Sequence, residues 1–398
     1  MCAGEASRRS GNARPERRAL LLLPVLLPFL ESRPLAAWRE SSPGRRLALP
    51  PRPPDRTVPG RARQGVSPMS LNPRLRLLPL LVLGVGAVSV YPVHTAPASL
   101  DPPFRYLAYT SNRDRQFGFN DIYLYDLKSG RHLDLPGVNG SVDDNSPYLS
   151  ASGDRLAYVW VNPGAGGKEY NLDIRVLDRA ANRWLSTPGL NSPEVEAHPA
   201  LSADGRWLAY HRRPANPTGD EPDEEIRLYD LHRRKLVALP SGVSSKSVEQ
   251  YACLSPDGGF LAFHADRTKR ETRNDLHLFD LRERRAVTLP DLNQMNEELF
   301  PSLSREARYL AFVSNRVRGV GATDIYLYDR KLARGVPLPG LNTSHDENSP
   351  ALSPDGRWLV FTSNRPGGAG DMDLYLYDRT SLRTQALRSC NSPGLEFR

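Results

Sequence analysis

The 398-residue chain carries 53 Lys or Arg against 45 Asp or Glu, a net charge of +8 that on its face invites an acidic partner such as nucleic acid. The excess is confined to the first quarter: residues 1–97 hold 15 Arg, no Lys and 5 acids, whereas the remaining 301 residues hold 38 bases against 40 acids. A nucleic-acid-binding domain normally keeps a basic stripe on its folded body, so that class is set aside.

Residues 1–68 contain 13 Arg and 11 Pro but no Lys, Ile or Tyr, and their one apolar run, Ala19 to Leu30, is broken by Pro24 and Pro28. Such a stretch has no packable pattern, and it is expected to be a disordered or non-native extension upstream of a true start at Met69. From Met69 the text changes to basic "NPRLR", an apolar run from Leu77 to Val90 and the small triplet Ala96-Pro97-Ala98. Residues 69–98 therefore read as a secretory signal, and the mature chain is expected to be periplasmic or secreted. The apolar run is shorter than the roughly 20 residues a spanning helix needs, so no stable membrane span is expected after cleavage; an uncleaved anchor is the alternative. Cys2 would leave with the leader, and Cys253 and Cys390 are expected to be free thiols with no metal-site spacing.

Residues 99–398 repeat. The aspartate closing each "LYLYD"-type string falls at Asp126, Asp178, Asp230, Asp280, Asp329 and Asp378, at intervals of 52, 52, 50, 49 and 49. Each unit contains short aromatic and aliphatic segments separated by turn chemistry, which argues strands. "SPDG" and "SADG" supply a tight turn with Gly153, Gly205, Gly258 and Gly356 at its positive-φ position, and Ala307 in unit five predicts a looser turn there. The third segment is apolar on both faces, Ile325 and Leu327 on one, Tyr326 and Tyr328 on the other, so each sheet needs a neighbour on each side. Radial packing of blades meets that need. The predicted fold is all-β: a six-bladed β-propeller of four-stranded antiparallel blades. The segment "NSPGLEF", Asn391 to Phe397, is expected to supply the inner strand that unit one lacks and so close the ring.

The repeat "PxLSPDGRWLAFxSNR…DIYLYD", present six times between residues 104 and 397, resembles the TolB-type propeller repeat. The resemblance implies a periplasmic propeller that binds proteins, with a peptidoglycan-associated lipoprotein as a partner. TolB also carries an α/β domain before its propeller, which residues 99–103 are too few to supply.

Candidate chemistry gathers at one end. Three positions before the inner-strand proline stand Asp144, Glu196, Glu249, Glu298 and Glu347, with Cys390 in the sixth place. A second acidic position opens strand three: Asp121, Asp173, Glu225, Asp275, Asp324 and Asp373. Arg113, Arg213, Arg267, Arg316 and Arg365 reach the same end and offer a plain structural pairing. The surplus of carboxylates points instead to a basic partner or a cation, for which Ca²⁺ suits oxygen ligands best, with His198 and His345 near the mouth. No GxSxG, HExxH or phosphate-cradling loop occurs. The reading is a monomeric binding propeller that recognises a protein or cell-envelope ligand through an acidic mouth. The alternative is a propeller lyase or glycan-processing hydrolase with a metal-assisted site there.

Overall fold

The computed structural model describes residues 102–113, 120–162, 171–213, 224–245, 247–267, 274–294, 296–392 and 396–397. The expected extension and signal segment, 1–98, lie outside the described residues, as do parts of the long loops of blades two and three. The described residues form six four-stranded antiparallel sheets and no α-helix, arranged as a six-bladed β-propeller. None of them forms a helix long and apolar enough to cross a membrane.

Blade five shows why the sequence folds this way. Its inner strand is Glu298–Leu303, followed outward by Tyr309–Ser314, Asp324–Asp329 and the short peripheral strand Arg334–Val336. Alternation along the third strand sends Ile325 and Leu327 into a cluster with Leu359, Phe361 and Tyr377 of blade six. It sends Tyr328 the other way, against Leu276 and Leu278 of blade four. Every blade interface has such a cluster, so the core is divided into six wedges around the ring.

The expected turn glycines Gly153, Gly205, Gly258 and Gly356 lie at φ 67–74°. A side chain of the preceding blade rests on each, Tyr309 on Gly356 and Trp207 on Gly258, leaving no room for a Cβ. Unit five is reshaped rather than loosened: Arg305–Ala307 winds into a 3-10 turn whose buried Ala307 takes φ 47°. The methyl group there fills space beside Phe260 that glycine leaves to a larger ring elsewhere.

Closure of the ring is present, in a different register from that expected. Strand Glu396–Phe397 pairs with Ser111 and Thr110 of blade one. Asn391 is not part of it. Its side-chain oxygen accepts from the backbone N–H of Leu374 at 2.8 Å, the role that Asn139, Asn191, Asn293 and Asn342 play for Ile122, Ile174, Leu276 and Ile325. Asn391 thus belongs to a loop series, although its sequence neighbours mimic the "NSP" of the inner strands.

Candidate functional site at the carboxylate end

Strand register aligns one acidic row across every blade. Glu298, Ser314 and Asp324 lie side by side, as do Glu347, Ser363 and Asp373. In blades two, three and four the middle position is Trp160, Arg212 and Ala265. Blade one completes the series, because the pairing of Glu396 with Ser111, and of Ser111 with Asp121, places Glu396 rather than Cys390 at the sixth position. Cys390 sits instead in the buried cluster between blades six and one; neither it nor the buried Cys253 is in a disulfide.

The five inner carboxylates Asp144, Glu196, Glu249, Glu298 and Glu347 have no solvent exposure at all. In blades four to six each is held by an arginine: Arg267 on Glu249 at 3.3 Å, Arg316 on Glu298 at 3.2 Å and Arg365 on Glu347 at 2.9 Å. The same guanidinium groups donate to carbonyls of the connection entering the blade, at Val243, Leu292 and Leu341. Arg113 of blade one donates likewise to the carbonyl of Cys390. Glu347 also accepts from the Thr343 amide and hydroxyl and from the Ser363 hydroxyl. One carboxylate thereby gathers the entering loop, the inner strand and the second strand.

Blades two and three lack this arrangement. No side-chain donor reaches either oxygen of Asp144, and burial pushes its carboxyl up to about 7, helped by the charge of Asp121. Glu196 accepts from Ser192 alone among side chains, and burial raises it to about 7 as well. The arginines of blade three are engaged further out. Arg212 bridges Glu194 at 2.8 Å and Glu225, which also pairs with Arg227. Arg213 lies 3.5 Å from Glu224.

The second acidic set divides. Asp324 and Asp373 are buried and accept from loop amides, Val320 and Gly321 in one case and Gly370 in the other. Asp173 accepts from Asn162 and Asn171, and Asp121, Asp173, Glu225 and Asp275 are half-buried. His345 lies in the loop before Glu347, its amide donating to Thr343 Oγ1. Among the described residues no group of three His, Cys, Asp or Glu is arranged to hold a metal ion.

The channel wall itself breaks symmetry, which sequence reasoning missed. Each of the five longer inner strands carries a bulge whose residue is in the left-handed region: Ser146, His198, Tyr251, Phe300 and Ser349, at φ 49–51°. In blades three to five these are aromatic. The Tyr251 ring lies 3.9 Å from that of His198 and 4.6 Å, edge-on, from Phe300, with His211 and His264 packed behind. Both nitrogens of buried His211 are unpartnered. Burial holds His198 near 4, His264 near 3 and His211 well below its usual value, so all are neutral. The available signal was a histidine in the otherwise apolar runs "LAYH" and "LAFH".

No protein-family model matches the chain, and no curated sequence does. Solved structures share its fold. TolB from Acinetobacter baumannii is 17% identical with a TM-score of 0.51 over 74% of this chain and 66% of that one. An oligogalacturonate lyase in complex with manganese is 14% identical with a TM-score of 0.50 over 71% and 73%. Hydrazine synthase from Kuenenia stuttgartiensis is 12% identical with a TM-score of 0.53 over 74% and 47%. The architecture is thus a TolB-like propeller, and the chain spans just under two thirds of the TolB chain it matches. The same architecture serves a lyase and a synthase, so fold by itself does not assign chemistry.

Proposed function

We propose that the propeller is a secreted or periplasmic protein-binding module of the cell envelope, with its partner surface on the loops of the carboxylate end. One observation carries this reading: the loop after Arg316 is rigidly built yet presents apolar side chains to solvent. Gly319 donates to the Arg316 carbonyl, Val320 and Gly321 donate to Asp324, and Val317 and Val320 are 91% and 63% exposed. A preorganised loop bearing exposed apolar anchors favours recognition, because little ordering entropy is lost on binding. The leader and the TolB likeness support the envelope setting, and a peptidoglycan-associated lipoprotein is the first partner to try. Val317→Ser with Val320→Ser should weaken capture of that partner about tenfold or more, the scale of losing a small hot spot, without moving the melting temperature. Undiminished capture by the double variant removes this surface from consideration.

The second reading, a propeller lyase or glycan-processing enzyme, draws on the imidazole and aromatic wall of blades three to five. Turnover of an acidic oligosaccharide in the presence of manganese, lost on His198→Ala, would favour it over the binding module.

A further inference from the structure

The opposite end of the propeller has a charge pattern of its own. Five residues after each repeat aspartate, where the peripheral strand begins, stands a basic residue in all six blades: Arg131, Arg183, Lys235, Arg285, Arg334 and Arg383. All six are exposed, and among the described residues only Arg183 makes an ion pair, at 3.9 Å to Asp178. Because every third-to-fourth-strand hairpin is antiparallel and turns at the same end, the six lie on one rim. The hairpin tips 127–131, 179–183, 231–235, 281–285, 330–334 and 379–383 together hold 15 Lys or Arg and one acid, Glu283. The six strand-ending aspartates subtract six charges from that +14, and the turns between first and second strands add one (Arg105 included), leaving the end at +9. The chain beyond residue 97 is net −2, so the propeller is strongly polarised from end to end.

The same rim holds four of the six exposed large apolar side chains among the described residues: Trp184 at 42%, Leu236 at 43%, Leu332 at 53% and Leu382 at 50%. Each lies within two residues of a rim cation, in blades two, three, five and six. Alternating cations and isolated apolar side chains on a broad rim match the interface of an anionic bilayer, where cations meet headgroups and Trp or Leu enters the acyl boundary. Nucleic acid fits less well: leucine offers no face on which a base can stack, and a ring of cations about a propeller does not track a strand. We propose that this end docks flat on an anionic lipid surface, leaving the carboxylate end turned away from the membrane and open to a partner.

The test is co-sedimentation of the full chain with vesicles of phosphatidylcholine alone or with about 30% phosphatidylglycerol, at low and at 0.5 M salt. Replacing the six rim cations by Gln should lower partitioning onto the anionic vesicles at least about tenfold and abolish its salt dependence. Replacing Trp184, Leu236, Leu332 and Leu382 by Ser should weaken vesicle binding while leaving retention on heparin or duplex DNA unchanged. A third variant, with six arginines between residues 1 and 68 changed to Gln, separates the leader's own charge. If that variant loses vesicle binding and the rim variant keeps it, the proposal is overturned. It is equally overturned if the apolar variant binds vesicles like wild type and the rim binds DNA more tightly than lipid. Should the six-fold variant fail to fold, the apolar variant and the salt dependence decide the matter.

Discussion

Blades five and six hold their inner carboxylates with arginine, whereas blades two and three, built on the same register row and the same bulge, do not. Glu347 is surrounded by Arg365, Thr343 and Ser363; Asp144 stands in an equally buried place with no side-chain donor. The difference teaches that the repeat preserves a backbone geometry and a buried acidic position, while the groups that satisfy it are exchanged from blade to blade. Burial raises the carboxyl with or without the arginine, for Asp144, Glu196 and the arginine-held Glu298 all rise to about 7.

The sharpest way to break this contrast is to remove the arginine. Arg365→Ala strands a fully buried Glu347 and frees the Leu341 carbonyl, and it should cost about 3–5 kcal/mol in denaturant unfolding. Asn162→Ala, at the matching place in blade two, should cost less than about 1.5 kcal/mol, since the hydrogen bond it removes goes to half-buried Asp173. Equal losses would show that arginine is not what distinguishes the blades.

Neutralising the carboxylates themselves should separate the blades by a smaller margin. Glu347→Gln exchanges charge-assisted bonds for weaker ones and should cost about 1.5–3 kcal/mol at pH 7. Asp144→Asn imitates a carboxyl that is already half protonated and should be close to neutral. The pH dependence follows from the same groups. With folded values near 7, Asp144 and Glu196 bind more protons in the folded than in the unfolded chain between about pH 4 and 7, so their contribution falls as pH rises through that window. The buried imidazoles act in the opposite sense: His198 and His264 bind fewer protons when folded, so stability is lost as pH falls from about 6.5 toward 4. The two trends oppose each other below pH 6.5, and the carboxylates alone remain above it. Asp144→Asn should therefore lessen but not abolish the fall in unfolding free energy between pH 6.5 and 8, since Glu196 and Glu298 still titrate there, and a slope unchanged in that variant counts against a proton on Asp144.

The smallest effect concerns the peripheral hairpins, where Ala333 of blade five and Asn182 of blade two share a left-handed position at φ 51° and 46°. Ala333→Gly should stabilise the fold by about 1 kcal/mol, because alanine pays for its Cβ there. Asn182→Gly should change it by only a few tenths, since asparagine tolerates that region.

The fold was legible because its signals are local: the aspartate ruler, the turn glycines, and the two apolar faces of "DIYLYD". The site was less so. Period counting gives the register of a carboxylate but not its depth, which is why a row expected at an exposed mouth lies fully buried beneath its own loops. A tripeptide match gave Cys390 the sixth place, although counting 49 residues on from Glu347 reaches Glu396. The basic rim escaped notice because net charge was taken over the whole body, where the two ends cancel; the fixed offset of five residues from each ruler aspartate carried the signal throughout.

The pairing of Ser111 with Glu396 joins residues 285 positions apart. During synthesis at roughly 5–20 residues per second, Ser111 emerges on the order of 15 to 60 seconds before the strand that completes its sheet. Through that interval blade one offers an open β-edge at Thr110 and Ser111, and its face toward blade six, including Tyr109 and Tyr125, has no partner to cover it. Blades two to five can assemble pairwise in the order they are made, but the first sheet to emerge is among the last to be finished. A nascent-chain holdase, or a translocation step that delays folding, would find its natural substrate in that unfinished first blade.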